Sequence, residues 1–390
     1  MLQSCLDNTL SQISLLHSKD QDDERKASLL EVFQLINNLN KKINNRNKAT
    51  EAPIENRDCS TSSFSQSRST RNESRKSAIE QTIVVGHSGK FDDVVGLNEA
   101  KISLNEAIVM PLLYPHLFTG NRRPWNRILM YGPPGTGKSR LAHALANEIQ
   151  STFYSVSSAD LMSSLFGESE KMVRELFHHA RSSSGRCVIF IDEIDSLCRR
   201  RSETEDESVR RIKTELLHQM DGGVSEDEIF LLCATNCPWE LDPAFLRRFQ
   251  KRVHISLPDA DSRIKILKLH VGDDTTFSDE DWNELGDLTD GYSGSDLANL
   301  VNSALFEPVR FLQKAQHWVR CGDGKFRPCL PDHPGNFKSE LGSLLPSSVT
   351  TRPLSMRDMR KCLLTSKATV GRNDLRLFDK FTAKFGQEGN

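Results

Sequence analysis

The sequence predicts an α/β fold in which a parallel sheet lies between helices and is followed by a smaller helical domain. Five short apolar runs alternate with longer segments of helical periodicity between residues 90 and 258. A glycine-rich segment follows the first run, and acidic residues follow the third. After residue 258 the pattern becomes mainly helical. Strand, helix, strand repetition of this kind implies a parallel sheet between helical layers.

Composition and charge exclude several classes of protein. The chain has 390 residues, of which 37% are hydrophobic and 27% charged, and its formal net charge is -2. A fibre, a small disulfide-stabilised scaffold and a wholly disordered chain are therefore excluded. Because the overall charge is weak, any attraction for nucleic acid, tubulin tails or acidic lipid must come from a local patch, so net charge alone names no partner. No nucleic-acid partner is expected.

Cysteine usage and hydropathy favour a cytoplasmic protein. The nine cysteines are scattered without a C-x-x-C pair, which favours reduced thiols over disulfides or zinc ligands. The N-terminus lacks a basic region followed by an apolar core. Apolar runs also stay well short of the roughly 18 residues that a membrane-spanning helix needs.

The N-terminal part of the chain divides into two regions. Residues 1–45 are predicted to be helical, because Leu29, Phe33 and Ile36 recur at three- and four-residue steps. Residues 46–89 are rich in Asn, Ser, Thr, Arg and Lys. Such a segment has too few apolar residues to offset the entropy lost on ordering, so it is predicted to be a flexible linker.

The large domain is assigned to residues 90–258. Its five apolar runs have the length of buried parallel strands. They are Arg127–Tyr131, Phe153–Val156, Cys187–Ile191, Ile229–Ala234 and Lys251–Ile255. Helical patterns between them are clearest at Ser139–Gln150 and Glu170–Ala180.

Residues 259–390 are predicted to form the smaller, lid-like domain. Helical patterns cover Asp261–His270, Asp279–Leu288, Gly294–Gln316, Ser355–Ser366 and Asp374–Phe385. A stretch that contains proline and glycine, at about 319–349, interrupts them.

A phosphate-binding loop follows the first predicted strand. The motif G-x-x-x-x-G-K-[ST] is matched by Gly132, Pro133, Pro134, Gly135, Thr136, Gly137, Lys138 and Ser139. Its glycines let backbone N–H groups point at a phosphate chain, helped by the positive end of the next helix. Lys138 is predicted to reach the terminal phosphates and Ser139 to ligate Mg²⁺. A glycine-rich turn without a ligand is the alternative, and the strand before the motif and the helix after it disfavour that alternative.

Two acids and one amide follow other predicted strands. Asp192 is expected to hold Mg²⁺ through water, and Glu193 to orient and polarise the attacking water. Asn236 follows the fourth strand, where it is placed to sense the γ-phosphate, although Asn at a strand end is also a common turn former.

These motifs resemble those of a known family. The stretches FDDVVGL, GPPGTGKS, VIFIDEIDSL, ATNCPWELD and LRRF resemble the AAA ATPase cassette, and RRIKTELL, SLPDADSR and GYSGSDLANLV resemble its meiotic clade, which holds katanin, spastin and fidgetin. The tail segments PCLPDHPG, LSMRDM and FGQEGN resemble the branch of vacuolar protein sorting-associated protein 4, whose ATPases dismantle ESCRT-III polymers. The resemblance covers Phe91–Asn390 and implies a P-loop NTPase domain with a helical lid, a C-terminal helix, and ATP and Mg²⁺ as cofactors.

The resemblance also assigns residues around the nucleotide. It implies that Asp93, Val94 and Val95 line the adenine pocket. Gly294 and Ser295 match the place where the lid closes over the nucleotide.

Arg247 and Arg248 match the arginine fingers of the family. Such an arginine completes the site of a neighbouring subunit and neutralises charge in the transition state, an effect of on the order of a thousandfold or more in rate. The resemblance therefore implies a hexameric ring. From the residues alone, the two arginines would be assigned to a solvated basic turn.

Three further segments are assigned by the resemblance. The first pore loop, which grips substrate at the centre of the ring, matches Leu165, Phe166 and Gly167, with Phe166 as the apolar blade. The candidate for the second pore loop is 201–208, whose mixed charge pattern is also typical of a simple solvated loop. A short β insertion at about 319–349 is expected to bind a cofactor that promotes assembly. Residues 1–45 lie outside the resemblance. They are predicted to be either a reduced form of the family's microtubule-interacting and trafficking domain or a region that recruits substrate in another way.

The leading hypothesis is an ATP-driven ring that threads ESCRT-III subunits through its pore during endosomal sorting and membrane scission. It would be cytoplasmic and reach endosomal membranes through its partners. A second hypothesis is a microtubule-severing ATPase of the katanin or spastin type, which the basic linker around Arg68–Lys76 favours and the tail segments oppose. A third is a regulatory paralogue that does not hydrolyse ATP. It is favoured by the short N-terminus and by a first pore loop that, compared with the family's, lacks a lysine and has its aromatic residue moved by one place.

Overall fold

The structure is a computed structural model that describes residues 79–84, 89–149, 151–162, 169–183, 185–200, 206–221, 229–272, 275, 277–322 and 324–386. All of these residues belong to one compact unit, Ser69–Asn390. The predicted N-terminal helical region, residues 1–45, lies outside the described residues. So do most of the predicted linker and the pore-loop residues Leu165, Phe166 and Gly167. Those assignments remain predictions.

The core of the unit is a parallel sheet of five strands in the order β2-β3-β4-β1-β5. The strands are β1 (Arg127–Tyr131), β2 (Thr152–Ser157), β3 (Cys187–Asp192), β4 (Ile229–Thr235) and β5 (Lys251–His254). Each predicted strand is present, with its ends within one residue of the prediction. Because the strands are parallel, the carboxyl ends of β1, β3 and β4 meet at one edge of the sheet, where α/β folds place their ligands.

Helices cover both faces of this sheet. They are α1 (Asn98–Leu104), which continues through a π-helical turn into α2 (Met110–Leu113), then α3 (Lys138–Glu148), α4 (Ser158–Met162), α5 (Ser169–Ser182), α6 (Ile194–Cys198), α7 (Glu207–Asp221) and α8 (Pro243–Leu246). Alternate residues of each strand point to opposite faces, so Leu129 and Ile189 join one buried cluster and Ile128 and Val188 the other. This confirms the predicted α/β architecture.

The lid consists of helices and a small antiparallel sheet. Its helices are α9 (Ala260–Val271), α10 (Asp279–Leu288), α11 (Gly294–Lys314) and α12 (Met356–Leu363). Strands β6 (His317–Arg320), β7 (Phe326–Pro328) and β8 (Phe337–Lys338) form the sheet, in the order β7-β6-β8. Trp318 is fully buried there, and its indole N–H donates to the Ser339 carbonyl at 2.8 Å. The short β insertion is therefore present and begins slightly before the predicted position.

One segment of the predicted linker is ordered, which corrects the assignment of 46–89 as wholly flexible. The Val84 N–H donates to Phe153 O at 2.9 Å, and the Ser155 N–H donates to Thr82 O at 2.9 Å. Ile79 is 1% exposed and belongs to the core of the large domain. An edge strand leaves backbone groups unpaired, and this segment pairs with those of β2. The apolar residues Ile79, Ile83 and Val84, at the end of a polar segment, are too weak a sequence signal to predict that docking.

The C-terminal helix, α13 (Arg372–Phe385), packs on the large domain. The sequence had assigned it to the lid, because it follows the lid in the chain. Phe378 and Phe381 are buried in the same cluster as the strand residue Tyr131. The Tyr131 hydroxyl also lies 3.0 Å from the Thr382 hydroxyl. Residues 259–390 therefore do not form one packing unit, because the last helix returns to the sheet.

Two further predictions concern the second pore loop and the absence of a membrane-spanning helix. The predicted second pore loop, 201–208, overlaps the start of α7, where the Asp206 carboxylate accepts from the Ser208 N–H at 3.1 Å. Among the helices of the described residues, none is both long and apolar enough to cross a membrane.

Candidate active site

The phosphate-binding motif forms a tight loop between β1 and α3. Gly135 and Gly137 have φ values of +76° and +93°, a region that L-residues with side chains rarely adopt. The Thr136 hydroxyl donates to the Pro133 carbonyl at 2.9 Å and closes the loop on itself. The loop therefore presents its backbone at the N-terminus of α3, where N–H groups and the helix dipole favour a phosphate group.

Lys138 is 7% exposed and is held inside this loop. Its ammonium group donates to Gly132 O at 2.9 Å and to Pro133 O at 2.8 Å. Burial lowers the pKa of Lys138 to about 8, against the opposing effect of the Asp192 and Asp195 carboxylates. The carbonyl contacts keep a cation next to the space where phosphate oxygens would lie.

The Ser139 hydroxyl donates to one carboxylate oxygen of Asp192. The other oxygen of Asp192 accepts from the Glu193 N–H at 2.9 Å. A hydroxyl and a carboxylate side by side are the hard oxygen ligands that Mg²⁺ prefers, and Mg²⁺ completes its shell with water and phosphate oxygens. The residues present therefore fit a magnesium ion bound together with a nucleotide.

Glu193 and Asn236 lie at the ends of neighbouring strands. Glu193 is exposed and has a φ of +51°, and Leu97 is the other non-glycine residue with a positive φ in the described part of the chain. Strained backbone of this kind persists where surrounding structure enforces it, often at functional sites. Asn236 is half-buried directly after β4.

The sequence did not single out Asp195, which fixes the end of β4. Its carboxylate accepts from the Thr235 hydroxyl at 2.7 Å. The same carboxylate favours the charged form of Lys138. Asp195 thereby holds the end of the strand that precedes Asn236 and adds negative charge near Lys138.

A cavity of 250 Å³ lies between the phosphate loop, the segment before α1 and the lid. Residues that the sequence assigns to the adenine pocket, the phosphate loop and the lid closure line it, namely Val94, Val95, Gly135, Thr136, Gly137, Gly294 and Ser295. A second cavity, of 280 Å³, shares Val95, Thr136 and Gly294 with the first. The fold thus brings three separate parts of the chain to one site.

Asp93 is placed differently from the prediction, since it does not line either cavity. Its carboxylate accepts from the Lys90 N–H at 2.7 Å, and its carbonyl accepts from the Arg140 guanidinium at 3.3 Å. Asp93 therefore shapes the backbone that leads into the pocket.

Sequence reasoning missed several residues that line the first cavity. They are Leu97, Arg140, Ile266, Leu269, His270 and Ala298. Burial, and next the charge of Arg140, lower the pKa of His270. The spacing of apolar residues along α9 was a possible signal for the pocket residues on that helix. The same spacing also places residues in the lid core, so it does not identify a pocket.

The lid touches the phosphate loop directly. The Ser295 N–H, at the start of α11, donates to Gly135 O at 3.2 Å. A Cβ at Gly135 would lie 1.9 Å from the Ser295 hydroxyl oxygen. The first turn of α11 is held by a capping box between Ser293 and Asp296, so this contact is made by a preformed helix end.

The two predicted finger arginines follow α8 and do not line either cavity of their own chain. Arg247 is exposed. Arg248 forms a two-pronged ion pair with Asp221 at the end of α7, and it also donates to Ala244 O at 2.8 Å. The structure therefore separates two residues that the sequence treated as a pair.

Three family profiles match this chain. They are the ATPase family associated with various cellular activities (AAA) at residues 128–257, the AAA+ lid domain at 279–319, and the Vps4 C terminal oligomerisation domain at 326–386.

Known proteins similar to the chain include Protein SUPPRESSOR OF K(+) TRANSPORT GROWTH DEFECT 1 of Arabidopsis thaliana. It is 47% identical over 307 residues, which cover 77% of this chain and 70% of that protein. Vacuolar protein sorting-associated protein 4B of Pongo abelii is 48% identical over 77% of this chain and 70% of its own. Vacuolar protein sorting-associated protein 4 of Dictyostelium discoideum is 44% identical over 82% and 74%.

Solved structures with the same fold have lower identities. A crystal structure of the FIGL-1 AAA domain in complex with ADP superposes with a TM-score of 0.67 at 35% identity, over 81% of this chain and 98% of that chain. A structure described as a basis for katanin self-assembly has a TM-score of 0.60 at 34% identity, over 79% and 96%.

Proposed function

Since this chain belongs to the Vps4 group of AAA ATPases, we propose that it works as an ATP-hydrolysing hexameric ring that disassembles ESCRT-III polymers by threading their subunits through a central pore. The observation that carries this proposal is that one chain contains two features together. One is the complete set of phosphate-loop, Ser139, Asp192 and Glu193 side chains at the sheet edge. The other is the Vps4 oligomerisation region at residues 326–386.

In this proposal ATP supplies the phosphoryl bond whose hydrolysis drives the motor. When a nucleotide binds, Lys138 would exchange the Gly132 and Pro133 carbonyls for phosphate oxygens. Ser139 and Asp192 would hold Mg²⁺, which would neutralise charge on the phosphates, and Glu193 would orient the attacking water and accept its proton. Asn236, at the neighbouring strand end, positions the same water or the terminal phosphate.

The transition state also needs a cation from outside the subunit. Arg247 is exposed and follows α8, away from both cavities of its own chain. In a ring it would complete the neighbouring site and neutralise charge on the transferring phosphoryl group. The family match to an oligomerisation region supports this arrangement, since such an enzyme is active only when assembled.

The pore and the recruitment region complete the proposal. Leu165, Phe166 and Gly167 lie between α4 and α5 in the chain and are proposed to grip the extended substrate. Residues 1–45 are proposed to capture ESCRT-III tails, which would bring the cytoplasmic enzyme to endosomal membranes. The β6, β7 and β8 sheet is the proposed site of an assembly-promoting cofactor.

The two alternatives have less support. Similarity to katanin and FIGL-1 is 34–35% in identity, whereas similarity to the vacuolar protein sorting proteins is 44–48%. A paralogue that does not hydrolyse ATP would be expected to lose a catalytic side chain, but Lys138, Ser139, Asp192 and Glu193 are all present.

Disassembly of preformed ESCRT-III filaments tests the proposal. Filaments would be incubated with the full-length chain, Mg²⁺ and ATP, and subunit release followed by sedimentation. We expect ATP-dependent release with the native chain and none with Glu193→Gln, which keeps the nucleotide pocket. Microtubules in a parallel assay should remain intact. Severing of microtubules without release of ESCRT-III subunits would contradict the proposal.

A further inference from the structure

The short helix α8, which leads into Arg247, has two of its last carbonyl groups bound by arginine side chains. Carbonyls in the last turn of a helix have no partner within the helix. Arg248 donates to Ala244 O at 2.8 Å, and Arg252 donates to Leu246 O. Leu246 O belongs to the peptide that joins Leu246 to Arg247, so Arg252 acts on the backbone immediately before the exposed arginine.

Arg252 makes its other contact at the C-terminal end of α13. Its Nη1 donates to Phe385 O at 2.9 Å, and its Nη2 donates to Leu246 O. Arg252 lies on the edge strand β5 and is half-buried. One guanidinium group thus links the last described helix of the chain to the turn that carries Arg247.

The helix at the other end of this link is firmly placed. Phe378 and Phe381 are 2% and 5% exposed and lie in the core of the large domain. The Thr382 hydroxyl, one turn before the C-terminal end, lies 3.0 Å from the hydroxyl of Tyr131. On the α8 side, Phe245 is 1% exposed. Arg252 therefore bridges two fixed points and leaves the Leu246–Arg247 peptide little freedom to rotate.

We propose that Arg252 is a positioning residue, which holds the backbone before Arg247 against the C-terminal helix so that Arg247 is aimed at the neighbouring subunit. This inference rests on the proposed function, because it assumes that Arg247 acts in a neighbour's site. Arginine suits the task, since its planar fork offers several donors at once, whereas lysine is a compact point charge on a flexible stem. A displacement of about 1 Å in a catalytic group can cost about 100-fold in rate.

A purely structural role for Arg252 predicts something different. Removing the side chain leaves two carbonyls without their donor, so some loss of stability is expected in either case. If stability were the only role, the loss of activity would be independent of Arg247. If Arg252 acts through Arg247, its removal has nothing further to disturb once Arg247 is gone.

A double-mutant cycle on the full-length chain separates these cases. The rate constant kcat for ATP hydrolysis would be measured by single-turnover kinetics, at protein concentrations that saturate assembly, for the native chain, Arg252→Met, Arg247→Ala and the double variant. We expect Arg252→Met to lower kcat by about 100-fold in the native background. In the Arg247→Ala background the same substitution should lower kcat by less than about twofold. The difference between the two effects is of the size that two interacting residues show in such a cycle.

The affinity for nucleotide supplies a second readout. The subunit's own pocket does not contain Arg252, so the Kd for ATP of dilute, unassembled Arg252→Met should match that of the native chain. Arg252→Lys guards against a variant that does not fold, because it keeps the charge and the N–H donors but places them on a single nitrogen. It should lower kcat by about tenfold and should also be silent in the Arg247→Ala background.

Each outcome bears on the inference. Equal losses of kcat from Arg252→Met in both backgrounds would overturn the inference in favour of a structural role. A native kcat in Arg252→Met, or a weakened Kd for ATP, would also overturn it. If Arg247→Ala itself leaves kcat unchanged, the assignment of Arg247 as the finger fails, and this inference fails with it. If Arg247→Ala is slow and Arg252→Met is not, only the positioning role is lost.

Discussion

Arg248 and Asp221 form a two-pronged ion pair within one chain, with both Nε and Nη2 of the guanidinium donating to the carboxylate. The neighbouring Arg247 is exposed. Two adjacent arginines that look equivalent in the sequence therefore have different surroundings. Arg248 links the end of α7 to the turn after α8, whereas Arg247 is the residue that we propose to act in a second subunit.

This difference predicts unequal effects of substitution. Arg247→Ala should lower kcat of the assembled enzyme by about a thousandfold, because a trans-acting arginine contributes on that order. Arg248→Ala should lower kcat by about tenfold, since it acts by holding α8. Steady-state ATPase measurements at saturating ATP would check both. Asp221→Asn is the matched control and should resemble Arg248→Ala. A loss from Arg248→Ala as large as that from Arg247→Ala would contradict the division of tasks.

The contact between lid and phosphate loop predicts a specific sensitivity at Gly135. Gly135→Ala should weaken nucleotide binding, because its Cβ would lie 1.9 Å from the Ser295 hydroxyl oxygen and 2.7 Å from the Ser293 hydroxyl oxygen, so the first turn of α11 must shift. Gly120→Ala is a matched control, since Gly120 has a similar φ of +67° but no neighbour within 4 Å of an added Cβ. It should cost only about 1 kcal/mol of stability. Titration of a fluorescent nucleotide would compare the two, and equal affinities would argue against the contact.

Docking of the segment before the large domain predicts a stabilising role for Ile79. Ile79→Ala should lower the free energy of unfolding by about 2 to 4 kcal/mol, because the side chain is 1% exposed in the core. Ile102→Ala removes the same atoms at a site that is 60% exposed and should change stability by less than about 0.5 kcal/mol. Urea unfolding of both variants would decide this. Similar losses, or none, would show that the segment does not dock.

The lid contains a carboxylate whose ionisation stabilises the fold. Burial alone would raise the pKa of Asp358, but hydrogen bonds from Arg352 and Ser355 hold its pKa below the ordinary value of 3.8. A folded-state pKa below the unfolded value means that the contribution is fully present above about pH 5. It is lost as the pH falls through the folded-state pKa. Asp358 is 7% exposed in its side chain, and Arg352 is 30% exposed.

Asp358→Asn should therefore lower the free energy of unfolding by about 2 kcal/mol at pH 7. The difference from the native chain should shrink as the pH is lowered from 5 towards 2, because the native carboxyl becomes protonated. Urea unfolding at a series of pH values would measure it. A difference that does not depend on pH would show that charge at Asp358 contributes nothing.

The sheet and the phosphate site were predictable because their signals are local. Each strand is a continuous apolar run, and the spacing from Gly132 to Ser139 fixes the loop without reference to the rest of the fold. Asp192 and Glu193 were predictable because the apolar run Cys187–Ile191 ends next to them.

Other features depend on tertiary partners that no local pattern reveals. Arg248 differs from Arg247 because Asp221, 27 residues away, lies beside it. The spacing of Phe378 and Phe381 indicates that α13 has a buried face. The residue that this face packs against, Tyr131, is on β1 and far away in the sequence, so no local pattern identifies it. For the same reason Asp93 was assigned to the pocket, whereas its carboxylate caps the backbone at Lys90.

Dependence of ATP hydrolysis on protein concentration tests the central claim most directly, that this chain is a motor active only when subunits complete one another's sites. Specific activity of the full-length chain would be measured with Mg²⁺ and ATP across a dilution series, with Glu193→Gln alongside. We expect specific activity to rise steeply with concentration until assembly saturates, and to be absent in Glu193→Gln. Specific activity that stays constant on dilution, or that survives Glu193→Gln, would contradict the account.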